Sequence, residues 1–223
     1  MAIDLATATE PDRDCDFCER LVAFRHTHRE LNPTFHNAPV PTWYPEARNG
    51  GKQAVKLMVV GMAPGLRGAN RTGRPFTGDW AGDLLYATLD KFGFCDGTYD
   101  RRADDGMTLN GAMITNAVRC VPPQNKPVGA EINQCRPFLK SRIDQLPKAK
   151  VLLCLGKISH DSTVRTLGLK LKDHPFGHGT EYQVGNQTLL SSYHCSRYNT
   201  NTRRLTEEMF EAIFARARKL IDG

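Results

Sequence analysis

The sequence predicts an α/β protein, a three-layer α/β/α sandwich around a largely parallel sheet of four strands. Short apolar runs alternate with segments of helical periodicity, which is the pattern of parallel strands joined by helices. With 223 residues, 40% of them apolar, the chain is long enough for one sizeable core. We therefore expect a single domain at residues 15–223, preceded by a polar, mobile tail at residues 1–14.

The individual elements follow from local patterns. Buried strands are predicted at residues 57–60, 113–118, 151–156 and 188–192. Helices are predicted at residues 19–26, 83–89, 130–146, 157–167 and 207–220. Gly93 is placed to end the second helix and Thr206 to cap the last, whose apolar stripe should face the core.

The segment between the first strand and the second helix carries the densest set of candidate binding residues. It reads GMAPGLRGANRTGRPFTGD over residues 61–79 and follows a strand, where parallel sheets bind their ligands. Its glycines allow a ligand to approach the backbone, and Arg67, Arg71 and Arg74 supply positive charge. Phe76 and Asp79 add an aromatic ring and a carboxylate. This composition favours a flat, anionic ligand.

The charge of the chain favours a polyanionic partner. Thirty Lys and Arg residues against 24 Asp and Glu residues give a net charge of +6 and a pI near 9.0. The N-terminus lacks the basic and apolar regions of a signal peptide, and no apolar run approaches the ~20 residues of a membrane span. We therefore expect a cytoplasmic protein, or a nuclear one if the cell has a nucleus, that binds no membrane. We also expect a monomer.

Four of the seven cysteines form a candidate metal site. Cys15 and Cys18 form a CxxC pair, and Cys120 and Cys135 lie far downstream on either side of a proline-rich loop. Four thiolates can hold zinc or a [4Fe–4S] cluster, and the ligand set alone does not decide between them. A dithiol redox centre and ordinary core cysteines are the alternatives. Cys154, inside a predicted strand, is expected in the core.

Four segments together resemble the uracil-DNA glycosylase superfamily, and most closely its family 5, the iron–sulfur type. They are the glycine-rich segment, the run TNAVRCVPPQNKP at 115–127, the four-cysteine pattern, and SYHCSRYNT at 192–200 followed by RLT. The resemblance covers nearly the whole chain from Cys15 onward. Family 4, the sister iron–sulfur family, usually carries an acidic residue where this chain has Met62, which places the carboxylate chemistry at Asp79, as in family 5.

The resemblance implies a reaction, a partner and a cofactor. An enzyme of this kind flips uracil out of double- or single-stranded DNA and hydrolyses its N-glycosidic bond, leaving an abasic site without lyase activity. The resemblance also implies a broad base range, with hypoxanthine and thymine or its oxidised forms opposite guanine as candidates. Cys15, Cys18, Cys120 and Cys135 would bind a structural [4Fe–4S] cluster that clamps the N-terminal segment near the DNA.

Cleavage of a glycosidic bond needs a site that stabilises a cationic sugar on one side and an anionic base on the other. Asp79 is the expected residue to orient water and stabilise the sugar, and His194 the expected hydrogen-bond donor to the uracil oxygen. By resemblance, Asn125 is a third catalytic residue that positions water or substrate. Each has an ordinary alternative: a helix N-cap, a surface histidine and a turn asparagine, respectively.

Other residues are expected to contact the base and the DNA. Phe76 would stack on the flipped base, Asn116 would read its Watson–Crick edge, and the backbone of Met62 and Ala63 would line the pocket. The residues expected on phosphates or in the duplex are Arg67, Arg71, Arg74, Arg197 and Tyr198.

The loop expected to enter the duplex departs from the family pattern at two positions. Cys195 replaces a proline after the histidine, and Arg203 replaces a glycine, so the freedom of the loop backbone changes at both. The alternative function is a catalytically inactive nucleic-acid-binding module stabilised by a cluster or by zinc. The presence of both Asp79 and His194 argues against that alternative, whereas Lys126 leaves Schiff-base chemistry open.

Overall fold

A computed structural model of the chain describes residues 10–223 and places a five-stranded sheet at the centre. The strands are β1 (Leu57–Gly61), β2 (Cys95–Asp96), β3 (Thr108–Leu109), β4 (Ala112–Asn116), β5 (Val151–Leu155), β6 (Glu181–Val184) and β7 (Gln187–Ser192). The helices are α1 (Glu19–Leu31), α2 (Ala69–Thr72), α3 (Trp80–Lys91), α4 (Gly129–Asp144), α5 (Lys157–Thr166), α6 (Arg197–Asn201) and α7 (Glu207–Asp222). Strands β2 and β3 form a separate small hairpin.

The central sheet has the order β4-β1-β5-β7-β6. The first four of these strands run parallel, and β6 pairs antiparallel with β7 at the edge. The largely parallel sheet is therefore confirmed, but the predicted number of four strands is wrong. The sequence does not predict β6 because its four residues, EYQV, form no continuous apolar run. Exposed Glu181 and Gln183 alternate with the half-buried Tyr182 and Val184, which is typical of an edge strand rather than a buried one.

Helices cover both faces of the sheet, as the alternation along β1 illustrates. Leu57 and Val59 join one apolar cluster, to which α3 and α7 contribute Leu85 and Phe210. Met58 and Val60 join a second cluster on the opposite face, which contains residues of α4 and α5. Since successive side chains of a strand point to opposite faces, a fully apolar strand requires a helical layer on each side. The predicted three-layer arrangement follows from that requirement.

The helix ends follow the predicted signals. Gly93 lies two residues beyond α3 with φ of 67°, a left-handed conformation that glycine adopts without strain. The Thr206 side chain accepts a hydrogen bond from the Met209 amide and caps α7. The buried stripe of α7 includes Phe210, Phe214 and Ala217, as its periodicity predicts.

The N-terminal segment packs on the outside of the sheet next to α4. Leu21 of α1 joins a third apolar cluster with Val118 and Phe138, and Phe17 stacks on Phe138 with 6.2 Å between ring centroids. Residues 1–9 of the predicted mobile tail at 1–14 lie outside the described residues. From residue 10 onward the chain is described, and the Glu10 carboxylate is ion-paired with Arg119.

The polar insertion between α3 and β4 packs against the glycine-rich segment. Its Asp105 carboxylate pairs with Arg74, and the Tyr99 hydroxyl accepts a hydrogen bond from the Gly78 amide at 3.1 Å. These contacts fix the far side of the loop that precedes α3. None of the helices formed by residues 10–223 is both long and apolar enough to cross a membrane.

Candidate active site

A deep pocket opens where β1, β4 and β7 end, which is the usual ligand position in a parallel sheet. It is lined by Ala63, Pro64, Gly65, Ala69, Phe76, Asp79, Ala81, Asn116 and His194. A wider outer cleft shares several of these residues. Its further lining residues are Met62, Trp80, Asn125, Leu155, Gly156, Lys157, Ile158, Ser196 and Arg197. Five predicted site residues therefore meet in one pocket: Ala63, Phe76, Asp79, Asn116 and His194.

Glycine at the end of β1 makes the deep pocket geometrically feasible. A Cβ atom at Gly61 would overlap the Asn116 side-chain oxygen and would lie 2.6 Å from the Phe76 ring. No larger residue fits there without displacing both side chains. The first glycine of the segment therefore lets the end of the strand, the amide and the aromatic ring pack together.

Asp79 lies at the junction of the glycine-rich segment and α3. It is the N-cap of α3, where its Oδ1 accepts a hydrogen bond from the Gly82 amide at 3.3 Å. Its other oxygen lies against Gly65 and Gly68, since a Cβ at Gly65 would be 3.0 Å from Oδ2. Burial raises the pKa of Asp79, and the hydrogen bond from the Gly82 amide opposes that rise. Asp79 is thus a helix cap and a pocket carboxylate at once.

His194 follows β7 and lies between the two cavities. Its ring stacks on Phe76 with 5.9 Å between centroids and an interplanar angle of 26°. Burial lowers the pKa of His194 to about 4, so the imidazole is neutral at physiological pH. The Nδ1 atom is buried and has no hydrogen-bond partner within residues 10–223. His194 is therefore a neutral pocket residue and not an exposed surface histidine.

Phe76 and Asn116 form the buried end of the deep pocket. Both side chains are almost fully buried. Phe76 adopts φ of 55°, a left-handed conformation that is uncommon for a bulky residue, and its carbonyl occupies the space that a Cβ at Gly82 would need. A strained aromatic residue that lines a pocket is typical of a functional site.

Two predicted residues, Met62 and Asn125, lie on the outer cleft rather than in the deep pocket, whereas Ala63 lines both. Met62 borders the cleft beside the end of β1. Asn125 is exposed and ends a short 3-10 helix, Pro123–Asn125, with φ of 55°. It borders the cleft.

The arginines of the glycine-rich segment have different surroundings. Arg67 and Arg71 are exposed and available to phosphates. Arg74 is buried, donates two hydrogen bonds to Asp105 at 2.7 and 2.6 Å, and lies 4.6 Å from the centroid of Trp43. The prediction of a phosphate contact from Arg74 is therefore wrong. Its sequence spacing resembles that of Arg67 and Arg71, and only the distant Asp105 reveals the difference.

The loop after His194 forms a rim above the cleft, which we define as Trp80 together with residues 196–203. Arg197 and Tyr198 are exposed there, at the start of α6, as their predicted role requires. Trp80 is 48% exposed, and the sequence motifs identify neither this residue nor Lys157 in the cleft. The one local signal for Trp80 is its place directly after Asp79.

The two departures from the family pattern have different structural settings. Cys195 is fully buried, and its thiol donates a hydrogen bond to the Ala81 carbonyl at 3.4 Å, which ties the histidine loop to α3. Arg203 adopts φ of 56°, the left-handed conformation that favours the glycine it replaces. The first departure adds a contact, and the second adds backbone strain.

A separate pocket lies between α1 and α4. All four predicted metal ligands, Cys15, Cys18, Cys120 and Cys135, line it, together with Arg25. The Arg25 side chain is buried and donates to the Cys120 sulfur at 3.8 Å, and the Arg119 amide donates to the Cys135 sulfur at 3.4 Å. Burial raises the pKa of the Cys18 and Cys120 thiols to about 11.

The four sulfurs are not gathered around one point. Across residues 10–223, no three or more His, Cys, Asp and Glu side chains converge where a single metal ion would bind. The remaining cysteines, Cys95, Cys154 and Cys195, are buried elsewhere, and Cys154 lies in the core as predicted. The four cysteines that the sequence pattern singles out thus line one pocket between α1 and α4 without meeting at a single point.

Comparison with known proteins agrees with this arrangement. The family model described as the uracil DNA glycosylase superfamily matches residues 48–218. A type-5 uracil-DNA glycosylase of Thermus thermophilus is 39% identical over 207 residues, which cover 92% of this chain and 93% of that protein. A type-5 enzyme of Mycobacterium tuberculosis is 36% identical over 215 residues, or 92% and 78% of the two chains.

The type-4 proteins match less of the chain. A type-4 uracil-DNA glycosylase of Sulfurisphaera tokodaii is 29% identical over 170 residues, which cover 73% of this chain and 70% of that protein. The longer and closer matches to type-5 proteins confirm the resemblance inferred from the sequence motifs. The chain therefore belongs to the uracil-DNA glycosylase superfamily, and within it to the type-5 family.

Proposed function

We propose that this chain is a DNA repair enzyme that accepts a flipped uracil in the deep pocket and hydrolyses its N-glycosidic bond. One observation carries the proposal: a carboxylate, a neutral imidazole, an amide and an aromatic ring line the same pocket. These are the groups that the reaction needs for the sugar cation, the base anion and recognition of the base. The product would be an abasic site in uracil-containing DNA.

The Asp79 carboxylate acts on the sugar side. Positive charge develops on the deoxyribose as the bond breaks, and a carboxylate in a partly buried site stabilises that charge more strongly than one in water. The hydrogen bond from the Gly82 amide fixes the Asp79 side chain, so its second oxygen is free to orient the attacking water. Asn125, on the cleft edge, is placed to hold water or substrate on the approach to this oxygen.

The His194 imidazole acts on the base side. Because its pKa is lowered to about 4, the ring is neutral at pH 7 and carries one N–H group. That N–H donates a hydrogen bond to the uracil oxygen on which negative charge gathers. A neutral donor stabilises the leaving anion without transferring a proton to it.

Asn116 and Phe76 recognise the base. The imide edge of uracil presents an N–H between two carbonyl groups, and the Asn116 amide supplies the matching acceptor and donor. Phe76 provides an apolar face to a base that has left the stack. Hypoxanthine shares a carbonyl next to an N–H, so the same amide supports a base range that extends to hypoxanthine, with the outer cleft leaving space for the larger ring.

We further propose that Cys15, Cys18, Cys120 and Cys135 bind a [4Fe–4S] cluster. Four thiolates are its usual ligand set, and sulfurs that line a pocket without converging on one point suit a group larger than a single ion. Arg25 adds support, because its buried Nε has no hydrogen-bond partner within residues 10–223 and a cluster with four thiolates supplies negative charge. The cluster would hold α1 against α4 and take no part in the reaction.

The test uses end-labelled DNA that holds one uracil, as U:G, U:A and single strand, followed by alkali to break abasic sites. We expect cleavage by the wild-type protein and its loss in Asp79→Asn and His194→Ala. Asp144→Asn and His26→Ala, which change exposed residues on α4 and α1, are matched controls that should cleave normally. Iron and sulfide content and the visible absorption of the purified protein test the cluster separately.

Two outcomes would contradict the proposal. If the wild-type protein binds the DNA but leaves every uracil in place, the chain is a nucleic-acid-binding module that has lost catalysis. If strand breaks form before alkali treatment and disappear in Lys126→Gln, the enzyme also has lyase activity, and the proposed monofunctional reaction is wrong.

A further inference from the structure

Trp80 is an exposed aromatic side chain that the proposed reaction does not use. It directly follows Asp79 and begins α3, yet 48% of its surface is exposed. It lines the outer cleft and also a second cavity, which we call the side groove. The apolar part of the side groove is formed by Leu84, Ala87 and Leu205. Trp80 is thus the wall that separates the base-binding region from an unassigned cavity.

The Trp80 ring is fixed in place by contacts with the other rim residues, at positions 196–203. Its indole N–H donates a hydrogen bond to the Thr200 hydroxyl at 3.0 Å, and the Arg197 guanidinium lies 5.5 Å from the ring centroid. An exposed aromatic ring that is held in one orientation loses little freedom when a flat group stacks on it. These contacts prepare the ring for a planar ligand.

We propose that Trp80 stacks on the nucleobase next to the flipped uracil and that the side groove receives the edge of that base. This inference rests on the proposed function, because the flipped uracil in the deep pocket sets the position of its neighbour. Trp80 borders the cleft through which the sugar–phosphate chain must pass, so the adjoining nucleotide is the part of the strand that reaches it. The occupant is therefore a nucleobase of the same strand.

The side groove carries no excess of positive charge that would make it a phosphate site. The exposed Glu207, in the first turn of α7, offsets the exposed Arg203, while Asp83 is neutralised by Arg101 with N–O distances of 2.8 and 2.6 Å. A base has a neutral apolar face and polar edges, which suits an apolar floor with polar sides. Arg197, next to the ring, is placed for the phosphate that links the two nucleotides.

Stacking of this kind has a consequence for substrate preference. Every base has a π face, so an aromatic platform binds neighbours of any sequence, but only when they have left the duplex stack. Trp80 should therefore contribute more to the cleavage of uracil in single-stranded DNA than in a U:A duplex. The platform would make single strands good substrates for this chain.

The test combines a change in the protein with a change in the DNA. We would measure kcat/KM for single-stranded DNA with one uracil, and for the same strand with abasic spacers on both sides of the uracil. Trp80→Leu should lower kcat/KM by about tenfold on the ordinary strand, and Trp80→Phe, which keeps a ring, by less than about twofold. On the spacer strand, wild type and Trp80→Leu should be equal, because no neighbouring base remains to stack.

If the loss in Trp80→Leu persists on the spacer strand, Trp80 acts by supporting Thr200 and the rim, and the stacking proposal is overturned. Thr200→Val reports that support directly, since it removes the hydrogen bond and keeps the ring. If the wild-type protein cleaves no uracil, the proposed function fails, and stacking is then tested by the binding of DNA alone.

Tryptophan fluorescence measures that binding. In a Trp43→Phe background, which leaves Trp80 as the one tryptophan, ordinary single strands should quench fluorescence more than all-spacer strands. Equal quenching would reject the platform.

Discussion

The deep pocket and the rim are built in different ways, although they adjoin at Asp79 and Trp80. The pocket residue Asn116 ends β4, His194 follows β7, and Asp79 caps a core helix, so each is fixed by the fold itself. The rim residues Arg197 and Tyr198 lie in a short helix with exposed side chains. The chemistry is thus tied to the sheet, whereas contacts to DNA can change at little cost in folding.

The strongest test of this difference is Asp79→Asn. Asparagine keeps the N-cap hydrogen bond of α3, so the fold should be retained while the negative charge is lost. We expect kcat to fall by about 100- to 1000-fold with little change in binding of DNA. Single-turnover kinetics and a binding assay on the same uracil-containing strand separate the two effects. Arg197→Ala should weaken binding of DNA with little change in kcat. A loss of kcat in Arg197→Ala as large as that in Asp79→Asn would contradict the difference between pocket and rim.

Alanine variants of the buried and the exposed arginines of the glycine-rich segment should differ in stability and in DNA binding. Arg74→Ala leaves Asp105 buried without its partner, which should lower the free energy of unfolding by about 3 kcal/mol. Arg67→Ala should change stability by less than about 0.5 kcal/mol but reduce the salt dependence of DNA binding by about one unit of slope. Urea denaturation and binding titrations at several salt concentrations measure both. Equal stability of the two variants would contradict the burial of Arg74.

Gly61→Ala tests how tightly the pocket is joined to the sheet. The added methyl group overlaps Asn116 and Phe76, so we expect a loss of about 2 kcal/mol in unfolding free energy together with weaker uracil cleavage. Gly129→Ala is the control, since a Cβ atom added there has no neighbour within 4 Å and the residue begins α4. A Gly61→Ala protein as stable as the control would show that the pocket can expand freely.

Acid pH should affect the pocket through both titrating residues. The pKa of His194 is near 6.5 in the unfolded chain and about 4 in the folded protein. Between these two pH values the unfolded chain binds more protons than the folded protein. The free energy of unfolding therefore falls as the pH decreases from 6.5 to 4. His194→Gln should lose that part of the pH dependence, as thermal unfolding at pH 5 and pH 8 would show. Wild-type activity should be lost at acid pH as Asp79, whose pKa is raised by burial, becomes protonated. An unchanged stability profile in the variant would mean that His194 is not buried in neutral form.

The smallest expected effect lies on the rim. Arg203 holds a left-handed conformation that glycine adopts without strain. We therefore expect Arg203→Gly to raise the free energy of unfolding by about 0.5 to 1 kcal/mol. Thermal unfolding of the variant and of wild type provides the comparison. Destabilisation instead would mean that contacts of the Arg203 side chain outweigh its backbone strain.

Sequence patterns predict the parts of this molecule that depend on local signals. The four parallel strands, the cap at Thr206 and the position of Asn116 and His194 at strand ends follow from apolar runs and motif order. Edge strand β6 escapes such reasoning because a short strand that alternates exposed and half-buried residues gains its partners only from the tertiary fold. Arg74 escapes it because its partner Asp105 is 31 residues away, and Trp80 because exposure has no local signature.

The packing of α1 against α4 has a consequence for how the protein is made. Helix α1 reaches its native contacts with Val118 and Phe138 only after a further stretch of roughly 100 residues, on the order of 10 s of synthesis, has been added. Until then its apolar face, with Phe17 and Leu21, is exposed to the surrounding solution. This interval is when chaperones have access to the segment that contains Cys15 and Cys18.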